Sequence, residues 1–143
     1  MLDERRATIA NTLVVRFLGT AFATFAALCL VACRDAGTSQ HADAGRQVFE
    51  SKCLQCHAIA PEAPSRTGPN LCGVVGRAAG SAEGFGSYSE VLRKAQFVWT
   101  DERLDAFLKE PQAVLPGNVM GFFGLPEPDE RHALIAFLKE QTR

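Results

Sequence analysis

Cys53, Cys56 and His57 impose the tightest constraint on this chain. In SKCLQCHAIA, residues 51–60, two cysteines stand three positions apart and a histidine directly follows the second. On a helical turn that spacing brings both sulfurs to one side and delivers the imidazole immediately after them. Such a cluster can be a disulfide, a thiol redox pair, a zinc site or an attachment point for a covalent cofactor. The rest of the sequence sorts these possibilities.

The N-terminus sets the compartment. Arg5, Arg6 and Arg16 precede an uncharged run of 17 residues, Phe17 to Cys33. Basic residues before an apolar stretch read as an export signal, and this stretch is at the low edge for a membrane span. Its last residues, LVAC, resemble the lipobox of bacterial lipoproteins, in which the cysteine is lipidated and becomes the mature N-terminus. An uncleaved membrane anchor and a plainly cleaved signal peptide are the other readings of residues 1–33. Each places the remainder outside the cytoplasm, in the periplasm or on a membrane face. Cys29 and Cys33 then belong to the signal, leaving Cys53, Cys56 and Cys72. An odd number argues against a full disulfide framework.

Residues 34–42 are small and polar and read as a linker. Residues 43–143 follow as one domain, and its apolar spacing is helical. Val48, Phe49 and Cys53 share one helix face, with Asp43 as a candidate cap. Residues 87–95 are a candidate short helix. Thr100 caps a further helix carrying the Leu104, Phe107, Leu108 stripe, which Pro111 ends. The last helix opens near Pro128 with Asp129 and Glu130, and repeats the stripe at Leu134, Phe137 and Leu138. The expected class is all-α, with three or four short helices. The Gly/Pro-rich segments 61–86 and 111–128 read as loops. So much loop in a compact domain needs something to pack against, and a large apolar cofactor would supply it.

Cys53-Leu-Gln-Cys56-His57 is the attachment pattern of a c-type haem. The two thiols form thioethers with the haem vinyl groups, and the histidine is the proximal iron ligand. A thioredoxin-like pair would want a βαβ context. Zinc would want a fourth ligand and usually a second paired motif. A structural disulfide leaves the histidine without a purpose.

The second axial ligand follows by elimination. Apart from His57, the histidines after Cys33 are His41, in the linker, and His132, in the first turn of the last helix. Met120 is the one methionine of the domain, 63 residues after His57 in the loop LPGNVMGFFG. A lone methionine is ordinarily core filler, but here it is the only thioether available. Soft thioether sulfur favours Fe(II) and raises the potential.

From about residue 43 to 141 the chain resembles class I cytochromes c, near the mitochondrial and bacterial c2 type. AGRQVFESKCLQCH is similar to that family's first helix and haem turn. RTGPNLCGVVGRAAG, the Trp-led WTDERL, LPGNVMGFFG and LIAFLK are similar to its later blocks, in the same order. The resemblance implies the cytochrome c fold wrapped around one covalent haem. It implies that Gly45 and Phe49 pack on Leu134 and Phe137, and that the Pro69 carbonyl holds the His57 imidazole. It also implies that Arg77, Tyr88 and Trp99 surround the haem propionates. Three departures stand out. Cys72, Phe107 and Asn118 replace a His, a Tyr and a Thr, and the last two changes perturb hydrogen bonding around Met120.

The implied function is one-electron transfer between membrane-associated respiratory or photosynthetic partners. The donor would be a quinol:cytochrome c reductase and the acceptor an oxidase or reaction centre. Neither a catalytic acid–base constellation nor a nucleic-acid footprint is present in the sequence, and a monomer is expected. The lysines that ring the family's haem edge are reduced here to Lys52 and Arg66. After Cys33 there are 12 basic and 14 acidic residues, a net of −2, so steering toward acidic partners should be weak. Membrane tethering would compensate by raising effective concentration. Two other readings stay open: an electron-transfer subunit of a larger dehydrogenase or oxidase, and a haem peroxidase or gas sensor if Met120 is labile.

Overall fold

The structure is a computed structural model that describes residues 36–142, with side chains described from Asp43 onward. The export segment 1–33, its LVAC ending and Cys33 lie outside the described residues. Among the described residues five helices follow in chain order: α1 Ala36–Lys52, α2 Glu90–Arg93, α3 Asp101–Lys109, α4 Pro111–Val114 and α5 Pro128–Glu140. Among the described residues there is no strand; a single antiparallel bridge joins Ala78 to Val98. The fold is all-α.

α1 begins inside the segment read as a linker, so Asp43 sits within the helix and not at its cap. Gly37, Thr38 and Ser39 are poor helix formers and carry no apolar stripe, which hid this turn from the sequence. Lys52 occupies the last turn, where a cation complements the helix dipole. The chain then coils on through the motif: Cys53 N–H donates to Phe49 O (2.8 Å) and His57 N–H to Cys53 O (2.9 Å).

α1 crosses α5 at Gly45. A Cβ there would fall inside contact distance of Ala133 O and lie 2.6 Å from Phe137 Cβ, so only glycine permits the approach. Phe49 completes the crossing against Phe137, ring centroids 5.7 Å apart. Phe49, Leu134 and Phe137 are all but fully buried, and truncating such a ring to alanine costs about 3–5 kcal/mol.

Thr100 caps α3 as the sequence predicts, its hydroxyl accepting from Arg103 N–H at 3.3 Å. Pro111 does more than end α3. It is the first residue of α4, where its missing N–H has no helical partner to lose. The segment expected as a loop from 111 therefore starts with a helical turn. α5 buries a broad face, Ala133, Leu134, Ile135, Phe137 and Leu138, together with Arg131.

The segment 61–86 has little regular structure but is stitched down by specific bonds. Asn70, 2% exposed, donates to Ala60 O (2.8 Å) and Ala63 O (2.7 Å), and its Oδ1 accepts from Cys72 N–H (2.8 Å). Further along, Gly76 N–H donates to Trp99 O and Trp99 N–H to Arg77 O. These bonds set Trp99 between Phe97 and Phe107, each ring 4.9 Å away. Cys72 is fully buried, its thiol 3.7 Å from Gln141 O.

Candidate functional site

The loops and helices enclose one cavity of about 420 Å³. All eight residues expected around the cofactor line it: Cys53, Cys56, His57, Pro69, Arg77, Tyr88, Trp99 and Met120. Apolar side chains make most of the remaining wall, among them Leu71, Val74, Leu92, Leu104, Phe107, Leu108, Phe122 and Leu138. Of the histidines the elimination set aside, His132 is exposed at the surface, 3.9 Å from Asp105, and His41 lies among residues whose side chains are not described.

The turn after α1 builds the reactive side of this cavity. Cys53 and Cys56 are both free thiols, as is Cys72, so none of the three is held in a disulfide. Cys53 is half-buried and Cys56 exposed. Burial first, and the neighbouring Cys56 second, push the Cys53 thiol up to about 11.

His57 is held by its ring. Nδ1 lies 2.7 Å from Pro69 O, and because a carbonyl only accepts, Nδ1 carries the proton. The lone pair is then on Nε2, the form a metal ligand needs. Burial lowers the His57 pKa, partly offset by the Pro69 bond, so the ring is neutral at neutral pH. Gly68 lies flat on the imidazole. A Cβ at that position would sit 2.7 Å from Nδ1 and 2.9 Å from Nε2. Gly68 N–H in turn donates to Cys56 O at 2.8 Å, tying this lid to the motif.

The polar end is formed by Arg77, Tyr88 and Ser89. Arg77 donates to Asn70 O (2.9 Å) and Cys72 O (3.0 Å). The Tyr88 hydroxyl accepts from Ala82 N–H at 3.0 Å, which leaves its own proton to donate. Ser89 is among the cavity-lining residues, and its Oγ is the one buried side-chain polar atom without a partner among the described residues. A buried hydroxyl without a partner costs about 1–3 kcal/mol. Gly68, Asn70 and Ser89 were not anticipated as site residues. Only the Cβ space, the loop bonds and the orphaned hydroxyl reveal them; their sequence neighbours, Pro69 and Tyr88, were the available signal.

Met120 enters from the loop after α4. It is half-buried, and its backbone N–H donates to Asn118 Oδ1 at 3.1 Å. Phe107 meets the cavity with a hydrocarbon edge and packs on Trp99.

These features fit a large, mainly apolar prosthetic group with an acidic edge. Two unpaired sulfurs can anchor it, a neutral imidazole and a thioether can take its metal, and hydroxyl and guanidinium donors can meet its carboxylates. Fold and site together define an all-α haem protein of the covalently attached kind.

No family model matches the chain. The chain is 42% identical over 98 residues to a cytochrome c of Chlamydomonas reinhardtii, covering 68% of this chain and 87% of that protein. It is 40% identical over 101 residues to a cytochrome c type-1 of Ascaris suum, covering 71% and 88%. A cytochrome c of Gibberella zeae is 36% identical over 99 residues, covering 69% and 92%. The chain belongs to the cytochrome c family, electron-transfer proteins with one covalent haem c and no enzymatic activity of their own.

Proposed function

We propose that this electron carrier holds its haem c by thioethers to Cys53 and Cys56, with His57 and Met120 as the axial iron ligands. The carrying observation is that these four side chains line one cavity although Met120 is 63 residues from His57 in the chain. The bound group supplies a reversible one-electron iron couple.

The chain's own residues do the rest. Cys53 and Cys56 fix the group's orientation through two bonds to one turn. The Pro69 carbonyl and the Gly68 backbone hold the His57 ring in a single plane and tautomer. Met120, lining the same cavity as His57, would be the iron's second protein ligand and would leave no place for an exogenous one, which favours a carrier over a peroxidase or gas sensor. Its neutral thioether favours the reduced state. Tyr88 would donate to the group's carboxylates, and Arg77 would add positive charge beside them. The Leu, Val and Phe wall excludes water.

The proposal extends to compartment and partner. The carrier works outside the cytoplasm, held at a membrane by a lipid on Cys33 or by a retained N-terminal anchor, between a quinol:cytochrome c reductase and an oxidase or reaction centre. Support for a weakly charge-driven partner comes from the Met120 loop. From Pro111 to Pro126 it carries no charged residue, and it exposes Val119 at 74% and Phe123 fully.

Absorption of the ferric holoprotein tests the ligation. A red charge-transfer band of Fe(III)–thioether is expected, and it should vanish in Met120→Ala; a high-spin spectrum with fast cyanide binding in the unaltered protein overturns it. Intact mass from an export-competent host tests the rest. A haem adduct on a chain starting at acylated Cys33 is expected, and the full-length chain plus haem sinks the lipobox reading. Electron-transfer rates that fall steeply between low and physiological salt would contradict the uncharged docking face.

A further inference from the structure

The inference concerns how Met120 is held, and it rests on the proposed His57/Met120 ligation. Asn118 is 5% exposed and uses its whole amide. Nδ2 donates to Pro111 O (3.0 Å) and Leu115 O (2.9 Å), and Oδ1 accepts from Met120 N–H (3.1 Å). The two carbonyls have other donors, Leu115 N–H on Pro111 O and Asn118 N–H on Leu115 O. Met120 N–H has none: among the described residues its bond to Asn118 is the only one it makes. Asn118 is therefore not needed to satisfy α4. What depends on it is the backbone of Met120.

Gln112 brackets the same unit from α4. Its Oε1 accepts from Gly117 N–H (3.2 Å) and its Nε2 donates to Asn118 O (2.9 Å). Gly117 has φ +85°, the left-handed conformation that lets the chain turn back toward α4. Asn70 makes the same three bonds on the opposite loop: two carbonyls from Nδ2, and the N–H two residues on from Oδ1. That clasp is built next to Pro69, whose carbonyl holds His57. Each expected axial ligand thus has an asparagine clasp in its loop.

We infer that Asn118 is the positioning residue for the Met120 thioether, with Gln112 holding Asn118 in place. A neutral thioether binds iron weakly, so the bond persists only if the loop presents sulfur without further ordering. Asn118 does that ordering in advance. Loss of one such bond should let Met120 leave the iron more often, and an incoming ligand reads this directly.

The test uses the ferric holoprotein and cyanide. Asn118→Ala should bind cyanide about tenfold faster than the unaltered protein, the equivalent of one hydrogen bond, with a weaker red charge-transfer band. Asn118→Ser, whose hydroxyl can still accept from Met120 N–H, should return toward the unaltered rate. Gln112→Ala, at an exposed position where folding is not at risk, should give about a two- to threefold increase. Amide exchange at residue 120 should rise in the same order. Cyanide rates for Asn118→Ala and Gln112→Ala within experimental error of the unaltered protein overturn the inference. So does equal acceleration in Asn118→Ser and Asn118→Ala, which would mean general loosening. If the unaltered protein lacks the band and Met120→Ala leaves its spectrum unchanged, the ligation itself fails and this inference with it, a result visible before any Asn118 variant is made.

Discussion

The two loops that carry the expected iron ligands are built on different principles. On the His57 side, position is fixed several times over. The ligand follows Cys56 directly on a turn that continues α1, its ring is bonded to Pro69, Gly68 lies on its face, and Gly68 is bonded back to Cys56. On the Met120 side the loop is held mainly at its two ends. Asn118 and Gln112 secure the approach. Beyond the ligand, Leu125 N–H bonds to Leu108 O, and the buried Arg131 donates to Leu125 O, Pro126 O and the Asp105 carboxylate. Between them Val119 and Phe123 face outward. Redundancy on one side and end-anchoring on the other imply that the second ligand is the one that yields first.

Breaking the redundant side should have the largest effect. Cys53→Ala with Cys56→Ala should abolish covalent haem attachment, leaving a chain whose denatured gel band no longer stains for haem. A stained band of undiminished intensity would dismiss these thiols as the anchors.

Next comes the lid on the imidazole. Gly68→Ala forces a methyl group into the His57 ring, an overpacking expected to destabilise by about 1–3 kcal/mol. Denaturant unfolding of the holoprotein checks the size. An altered low-spin spectrum would accompany it if the Pro69 bond is strained.

The distal anchor should rank third. Arg131→Leu keeps bulk but removes three hydrogen bonds and leaves Asp105 with only the exposed His132, 3.9 Å away. Asp105 is about one-third exposed, which moderates the penalty, so about 2 kcal/mol is expected. Because Arg131 holds the loop after Met120, the charge-transfer band should weaken more than in a comparably destabilising variant of the Phe49–Phe137 contact. Equal weakening in both would erase the contrast between the loops.

The smallest effects belong to the surface. Phe123→Ser should change stability by less than about 0.5 kcal/mol, yet slow electron exchange with the physiological partner if the exposed loop docks there. Lys139→Ala, which breaks an exposed pair with Asp101, should be equally quiet in unfolding and leave electron exchange untouched.

Much of this was legible in the sequence because its causes are local. The cap at Thr100, the opening of α5 at Pro128 and the apolar stripes Leu104/Phe107 and Leu134/Phe137 depend on residues within a few positions of each other. The Cys53–His57 motif is local in the same sense. The first turns of α1 were missed because nothing nearby signals a helix there. α4 was missed because a proline that stops one helix can equally start the next. Nothing in the sequence near Arg131 marks it; it is buried because the chain brings Leu125, Pro126 and Asp105 around it.

The sequence by itself determined the cores of α1, α3 and α5, the Cys53–His57 motif and the shortage of alternative ligands, since spacing and residue chemistry are enough for each. Only the tertiary structure decided that Cys53, Cys56, His57 and Met120 line one cavity, that Gly68 must be glycine, and that the Ser89 hydroxyl is left without a partner. It also decided that Met120 hangs on a single asparagine bond. These depend on which backbone groups remain unpaired once distant segments have packed, and pairing across sequence distance is settled only when the chain has folded.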